Sequence, residues 1–324
     1  MKKMRLHIYI ALAVALIGFI LGSFFDLNLS STIFSRDNPF GLGVSIVGTI
    51  PGYGMFAVLG GASLFYAMKK SFKTIFRVLF YIFAAAAPFL GVYFAGREFF
   101  GVNGFVVFSS DKVGLLVGCL IALPIMGGLF YFGYRLFKSS NKDHLWLLII
   151  LLGIALFMAL IPGVTMLKAI FHRPRFRAIE FFEANFAGES PKVFFHHWWE
   201  RCTNYGELIK TYSYLGKDEF KSFPSGHVGA ATCFMLVVSF LPLLNKEYEK
   251  KALICYYAGF AWALLVAASR ILVGAHFLSD VSMGMLLSLI CLFIVNEVII
   301  HIKYLHEEEV EAVTETPQVE EEQN

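Results

Sequence analysis

Charge is what this sequence has little of. Of 324 residues only 16% are Asp, Glu, Lys or Arg, against about 25% in ordinary soluble domains. That shortage excludes a soluble globular chain. With 57% of the residues hydrophobic and 35 of them phenylalanine, a chain of this size could not hide its apolar side chains from water, so lipid must solvate them. Cysteine is sparse as well, with five residues scattered at 119, 202, 233, 255 and 291. Four lie in apolar runs, where cysteine serves as a small hydrophobe, and Cys202 stands alone in a polar segment. Neither a disulfide framework nor a paired-cysteine metal site is expected. The net charge of +3 points to no nucleic-acid partner. A cleavable leader is not expected either, because the apolar stretch 6–25 outruns the roughly 7–15 residues of a signal-peptide core and no small-residue cleavage site follows it.

What is present is a series of long apolar runs. Eight stretches, 6–25, 45–68, 74–96, 113–137, 145–167, 227–244, 252–273 and 277–300, approach the length a helix needs to cross a bilayer, about 20 residues. Pro88, Pro124 and Pro162 fall inside them, which membrane helices tolerate. The expected fold class is an all-α polytopic membrane protein.

Lysine and arginine give the sidedness. Lys2, Lys3 and Arg5 precede the first span; Lys69, Lys70 and Lys73, then Arg135, Lys138 and Lys142, then Lys246, Lys250 and Lys251 occupy every second connection. The intervening connections hold little beyond Arg36, Arg97 and Lys112. Both termini are therefore expected in the cytoplasm. The connection 168–224 breaks the pattern, since it lies outside yet carries Lys168, Arg173, Arg175, Arg177 and further cations. Basic residues held on that face call for an anion. Beyond the last span, residues 301–324 carry eight glutamates and read as an acidic, disordered cytoplasmic tail.

Three short segments share the outer face. The first runs from Lys168 through Arg173-Pro174-Arg175; the second is Pro224-Ser225-Gly226-His227; the third runs from Ser269-Arg270 to His276 and Asp280. His276 and Asp280 stand four residues apart, one helical turn. A carboxylate on one ring nitrogen fixes the tautomer and leaves the other as a nucleophile or base. Ser225 and Gly226 open a helix whose free N–H groups suit a phosphate. Lys168, Arg175 and Arg270 add charge-assisted bonds to phosphate oxygens, and His227 can protonate a departing oxygen.

These segments resemble the three-part signature of the type 2 phosphatidic acid phosphatase family, similar also to vanadium haloperoxidases: K-x6-R-P, P-S-G-H and S-R-x5-H-x3-D. The second and third parts are complete; in the first, Phe176 replaces the final proline while Lys168 and Arg175 keep their separation. The resemblance implies His276 as nucleophile forming a phosphohistidine, Asp280 orienting it, and His227 as acid and then base. It implies Lys168, Arg175, Ser225, Gly226 and Arg270 as the phosphate cradle, with Arg173 a weaker candidate, and no metal or other cofactor. It covers residues 74–300, a six-helix phosphatase core preceded by two extra transmembrane helices within 1–73.

The expected function is hydrolysis of a lipid phosphate monoester or diphosphate, of polyprenyl diphosphate, phosphatidylglycerophosphate or phosphatidic acid type, at the outer face of a bacterial plasma membrane. Phosphoryl transfer to a lipid acceptor is the alternative. An anion transporter is the rival class, but transporters place charges near the bilayer midplane, where these spans hold almost none. The aromatic segment 178–222 is expected over the mouth of the bundle or anchored at the interface. His196 and His197 lack a third ligand for a metal. The oligomeric state is not legible.

Overall fold

The computed structural model describes residues 2–99, 111–140, 142–185, 194–211 and 216–314. Its helices in chain order are α1 (Lys2–Ile33), α2 (Pro39–Val47), α3 (Ile50–Met68), α4 (Thr74–Phe99), α5 (Asp111–Ser140), α6 (Trp146–Leu160), α7 (Leu167–Phe171), α8 (Phe176–Asn185), α9 (Tyr205–Thr211), α10 (Gly226–Val238), α11 (Leu241–Leu244), α12 (Glu249–Leu272) and α13 (Leu278–Thr314). Eight helical stretches are long and apolar enough to cross a membrane. They coincide with the eight runs of the sequence, so the protein is an all-α polytopic membrane protein. Side chains such as Phe24, Ile75, Phe89, Leu116 and Ile254 point outward from these helices, the arrangement expected where lipid replaces water as solvent.

The spans are longer than hydropathy alone marks them. α1 has 32 residues, about 48 Å of helix, and continues past its apolar run through Asp26, Asn28 and Ser30. Its first turns are tied to the far end of the bundle by Lys3–Glu249 at 2.8 Å and by Arg5–Glu297. Along its length α1 packs on α13, while α3 packs against α4, α5 and α10, and α10 lies between α3, α12 and α13. Both N-terminal spans are therefore built into the bundle.

The fifth span is the irregular one. α6 ends at Leu160, a wide π turn follows over Pro162–Met166, and α7 resumes at Leu167. Proline has no N–H to donate and its ring crowds the carbonyl four residues back, so the ladder widens there. α7 stops at His172, whose φ of 49° is left-handed, and the chain leaves the helix into residues 172–175. This break sends Lys168 and Arg175 into the same end of the bundle from two directions.

The described parts of 178–222 fold down onto the bundle. Ala178, Phe182, Cys202 and Phe220 form one small core, and Phe176, Ile179 and Phe277 another. Trp198 packs on Phe19 of α1 with ring centres 4.8 Å apart, stacks on Phe223, and donates from Nε1 to Ser23 Oγ at 2.9 Å. Residues 186–193 and 212–215, with Tyr212 and Tyr214, lie outside the described residues. At the other end, α13 runs on to Thr314, where the acidic composition suggests disorder from 301. No glycine or proline interrupts the chain between Gly284 and Pro317, so the last span has nothing to end it at the membrane surface. Residues 315–324 of that tail lie outside the described residues.

Candidate active site

The site sits where α7, α10, α12 and α13 end together, opposite the Lys3–Glu249 and Arg5–Glu297 pairs. His276 is buried in the short connection between α12 and α13. Its backbone N–H donates to Arg270 O at 3.2 Å, and Ala275 N–H to the same carbonyl at 3.0 Å. The chain thus winds tightly back over the end of α12. His276 Nδ1 lies 2.6 Å from Ser222 O. A carbonyl only accepts, so Nδ1 carries the proton and Nε2 keeps the lone pair.

Asp280 is fully buried one turn into α13, with Oδ2 3.7 Å from His276 Nδ1. Its nearer partners are others. Oδ2 accepts from Ser222 Oγ at 2.5 Å and from Phe277 N–H at 2.8 Å, and Oδ1 accepts from Arg173 Nη1 at 2.6 Å. Asp280 therefore holds the Ser222 segment, whose carbonyl holds the imidazole. Burial, reinforced by Arg175, Lys168 and Arg270 and only partly offset by Asp280, keeps the His276 imidazole well below the usual 6.5. A neutral ring with a free Nε2 is the form a nucleophile requires.

The helix start at 225–227 is pinned to the same turn, with Ser225 N–H donating to Asp280 O at 2.9 Å. Close approach is possible because α13 has no side chain at Gly284: a Cβ there would lie 2.2 Å from Ser225 O. Ser225 occupies the N-cap of α10 in extended conformation, but its hydroxyl caps nothing and is buried without a partner among the described residues. Lys168 Nζ comes close over Gly226, 4.0 Å from where a Cβ would be. His227 Nε2 stands 3.1 Å from Glu98 Oε2 at the end of α4; that is ion-pair distance, though off the hydrogen-bonding angle.

Arg270 carries the most telling geometry. It is fully buried at the end of α12, and Nε, Nη1 and Nη2 all lack hydrogen-bond partners among the described residues; Arg175 Nε does likewise. Leaving several donors buried and unpaired costs several kcal/mol in total, at about 1–3 each. Arg175, Arg270 and Lys168 all lie close enough to His276 for their charges to act on it, and the three cations repel one another. Such a cluster is built to bind an anion with more than one charge.

Arg173, by contrast, is committed to protein. Its guanidinium bonds His196 O at 2.7 Å, Ser279 Oγ at 2.9 Å, Asp280 and Asp26, and lies 4.2 Å over the Phe277 ring. Arg177 pairs with Glu219, both largely buried. Burial alone would raise the Glu219 carboxyl, but Arg177 and Arg175 outweigh it and hold the group below its usual range. His196 bonds Phe194 O through Nδ1 at 3.2 Å, and His197 stacks on Trp199.

Lys168, Arg175, Ser225, Gly226, His227, Arg270, His276 and Asp280, singled out from the sequence, all fall in this one region. Three residues come from elsewhere. Ser222 precedes the proline of the second segment by two positions. Glu98 and Asp26 each sit just past the end of an apolar run, where a carboxylate reads as ordinary interfacial polarity. The available signal was only that aromatic and apolar residues flank both.

Residues 144–301, which hold all three segments, match the model of the PAP2 superfamily, so this chain carries a domain of the type 2 phosphatidic acid phosphatase family. Among curated proteins it is 29% identical over 208 residues to phosphatidylglycerophosphatase B of Haemophilus influenzae, an overlap of 60% of this chain and 79% of that one. It is 39% identical over 80 residues to phosphatidylglycerophosphatase B of Bacillus subtilis, covering 23% of this chain and 37% of the other. No solved structure matches significantly.

Proposed function

We propose that the protein is a metal-independent phosphatase of a lipid phosphate, acting through a phosphohistidine on His276, with a glycerophospholipid phosphate monoester of the phosphatidylglycerophosphate type as first substrate to test. The observation that carries this reading is the Arg270 guanidinium, with three buried unpartnered nitrogens, beside a histidine whose Nδ1 is tied to a carbonyl. The names of both curated relatives favour the substrate class.

In the first step Nε2 of His276 attacks phosphorus. The P–N bond forms as the P–O bond to the lipid breaks, and His227 gives its proton to the departing oxygen. Arg270, Arg175, Lys168 and the N–H groups opening α10 hold the three remaining phosphoryl oxygens, where charge develops. In the second step water attacks the phosphohistidine, His227 takes its proton, and the P–N bond breaks to release phosphate. The Glu98 carboxylate, 3.1 Å from Nε2, attracts that side of the His227 ring by charge and leaves Nδ1 for the oxygen. The lysine and arginine distribution supports cytoplasmic termini and a site facing away from the cytoplasm.

The test is phosphate release by purified protein in excess chelator from phosphatidylglycerophosphate, phosphatidic acid and a polyprenyl diphosphate in parallel. Turnover on at least one, lost in His276→Ala, is expected. Full turnover by His276→Ala would overturn the mechanism, and phosphate appearing on a second lipid instead of in solution would replace hydrolysis with transfer.

A further inference from the structure

Asp26 belongs to α1, outside the segment matched to the family, yet it is buried against the site. Its Oδ1 accepts from Ser279 N–H at 2.9 Å; its Oδ2 accepts from Arg173 Nη2 at 2.9 Å and from Ser279 Oγ. Ser279 N–H is one of the orphan donors in the first turn of α13. Asp26 thus caps, from another helix, the element that carries Asp280. Arg173 is the bridge between the two carboxylates, with Asp26 on Nη2 and Asp280 on Nη1. From Asp280 the connection continues through Ser222 to His276 Nδ1.

The approach of α1 that makes this possible is unusually close. A Cβ at Gly22, one turn before Asp26, would lie 2.3 Å from Ser279 N. A carboxylate at the end of a membrane span is costly unless paired, and every acceptor position used here is directed at α13 or Arg173. The same stretch of α1 holds Trp198 through Ser23 and Phe19, and Trp198 stacks on Phe223 just before Pro224. α1 therefore touches both ends of the site's framework.

We propose that Asp26 is a positioning residue for the nucleophile, so that the first transmembrane helix is part of the catalytic unit. The proposal rests on the phosphatase reading above. Removing the Asp26 charge frees the Arg173 fork to rotate, loosens Asp280, and lets the Ser222 carbonyl drift from His276. Displacements of this kind act on the reacting geometry more than on affinity, and an ångström can cost about 100-fold.

The experiment compares full-length wild type with Asp26→Asn, Arg173→Gln, the double variant and His276→Ala, using phosphatidylglycerophosphate in detergent micelles. Asp26→Asn is expected to lower kcat on the order of 10- to 100-fold with KM changed less than about twofold. The double variant is expected to lose no more than Arg173→Gln alone, because the two act through one bridge. Thermal unfolding of each variant identifies the folded ones; should Asp26→Asn not fold, Ser279→Ala removes one arm of the same contact and is expected to lower kcat at unchanged KM. A kcat for Asp26→Asn within twofold of wild type, or a fully additive double variant, would overturn the positioning role while His276→Ala stays inactive. Wild type that releases no phosphate while folded would instead remove the reading of function on which the role depends.

Discussion

The Ser222 carbonyl oxygen stands 2.6 Å from His276 Nδ1, closer than the Asp280 carboxylate at 3.7 Å. The proton on Nδ1 is thus held by backbone, and Asp280 acts on the ring through the segment it fixes.

A graded mutational series follows from that relation. His276→Ala removes the nucleophile and should abolish turnover. Asp280→Asn leaves the carbonyl in place, so the tautomer survives and the expected loss in kcat is roughly 10- to 100-fold, the range typical of orienting partners. Ser222→Ala removes the hydroxyl but not the carbonyl and should cost about tenfold or less. Steady-state phosphate release measures all three, and an Asp280→Asn variant as dead as His276→Ala would show that the carboxylate itself sets the proton.

Arg270 should behave as the principal anchor of the phosphoryl group. Its buried guanidinium presents a fork that lysine cannot reproduce. Arg270→Lys is expected to lower kcat/KM by about 100- to 1,000-fold, the scale for losing a donor to developing charge. Inorganic phosphate should also inhibit the variant more weakly than wild type in a competition assay. Equal inhibition of the two would place the anion elsewhere.

The pH dependence follows from His276. Its folded-state value is depressed well below 6.5 by burial and the three cations, so the free enzyme keeps a neutral nucleophile as pH falls through 6.5. The kcat/KM profile should therefore show no acid limb from His276 near 6.5. Stability has the opposite sense: below 6.5 the unfolded chain takes a proton that the folded site refuses, so stability falls as pH is lowered from there. Thermal unfolding in detergent between pH 7 and 5 checks this, and His276→Ala should flatten that part of the slope.

Gly284 tests how tightly α13 must approach the helix start at 225. A Cβ there would sit 2.2 Å from Ser225 O, and backbone cannot give way as a flexible side chain can. Gly284→Ala should destabilise by about 1–3 kcal/mol and should lower kcat beyond what the loss of folded protein explains. A variant with wild-type melting temperature and turnover would show that the contact is slack.

Much of this molecule was legible in its sequence because it rests on local or additive properties. Eight apolar runs predict eight spans, since a bilayer requires each helix to satisfy its own backbone and to be apolar over about 20 residues. The segments at 168–175, 224–227 and 269–280 were legible as chemistry, and the alternation of cations puts them at one level. The break in the fifth span was not legible, because Pro162 reads like Pro88 and Pro124, which sit inside continuous helices. The wide turn at Pro162–Met166 and the left-handed stop at His172 appear only in the structure.

What the sequence by itself determined is the membrane, the number of membrane-length spans and the residue types gathered at one end. Only the tertiary structure decided which partner each of those residues keeps. Arg173 and Arg175 are two positions apart, yet one is spent on Asp26 and Asp280 while the other keeps a buried unpartnered nitrogen. Asp280 meets Ser222 before it meets His276. Asp26, 253 positions from Ser279, reaches it because Gly22 lets two helices touch. Such pairings depend on which helices pack side by side and how closely, and no spacing along the chain encodes that distance.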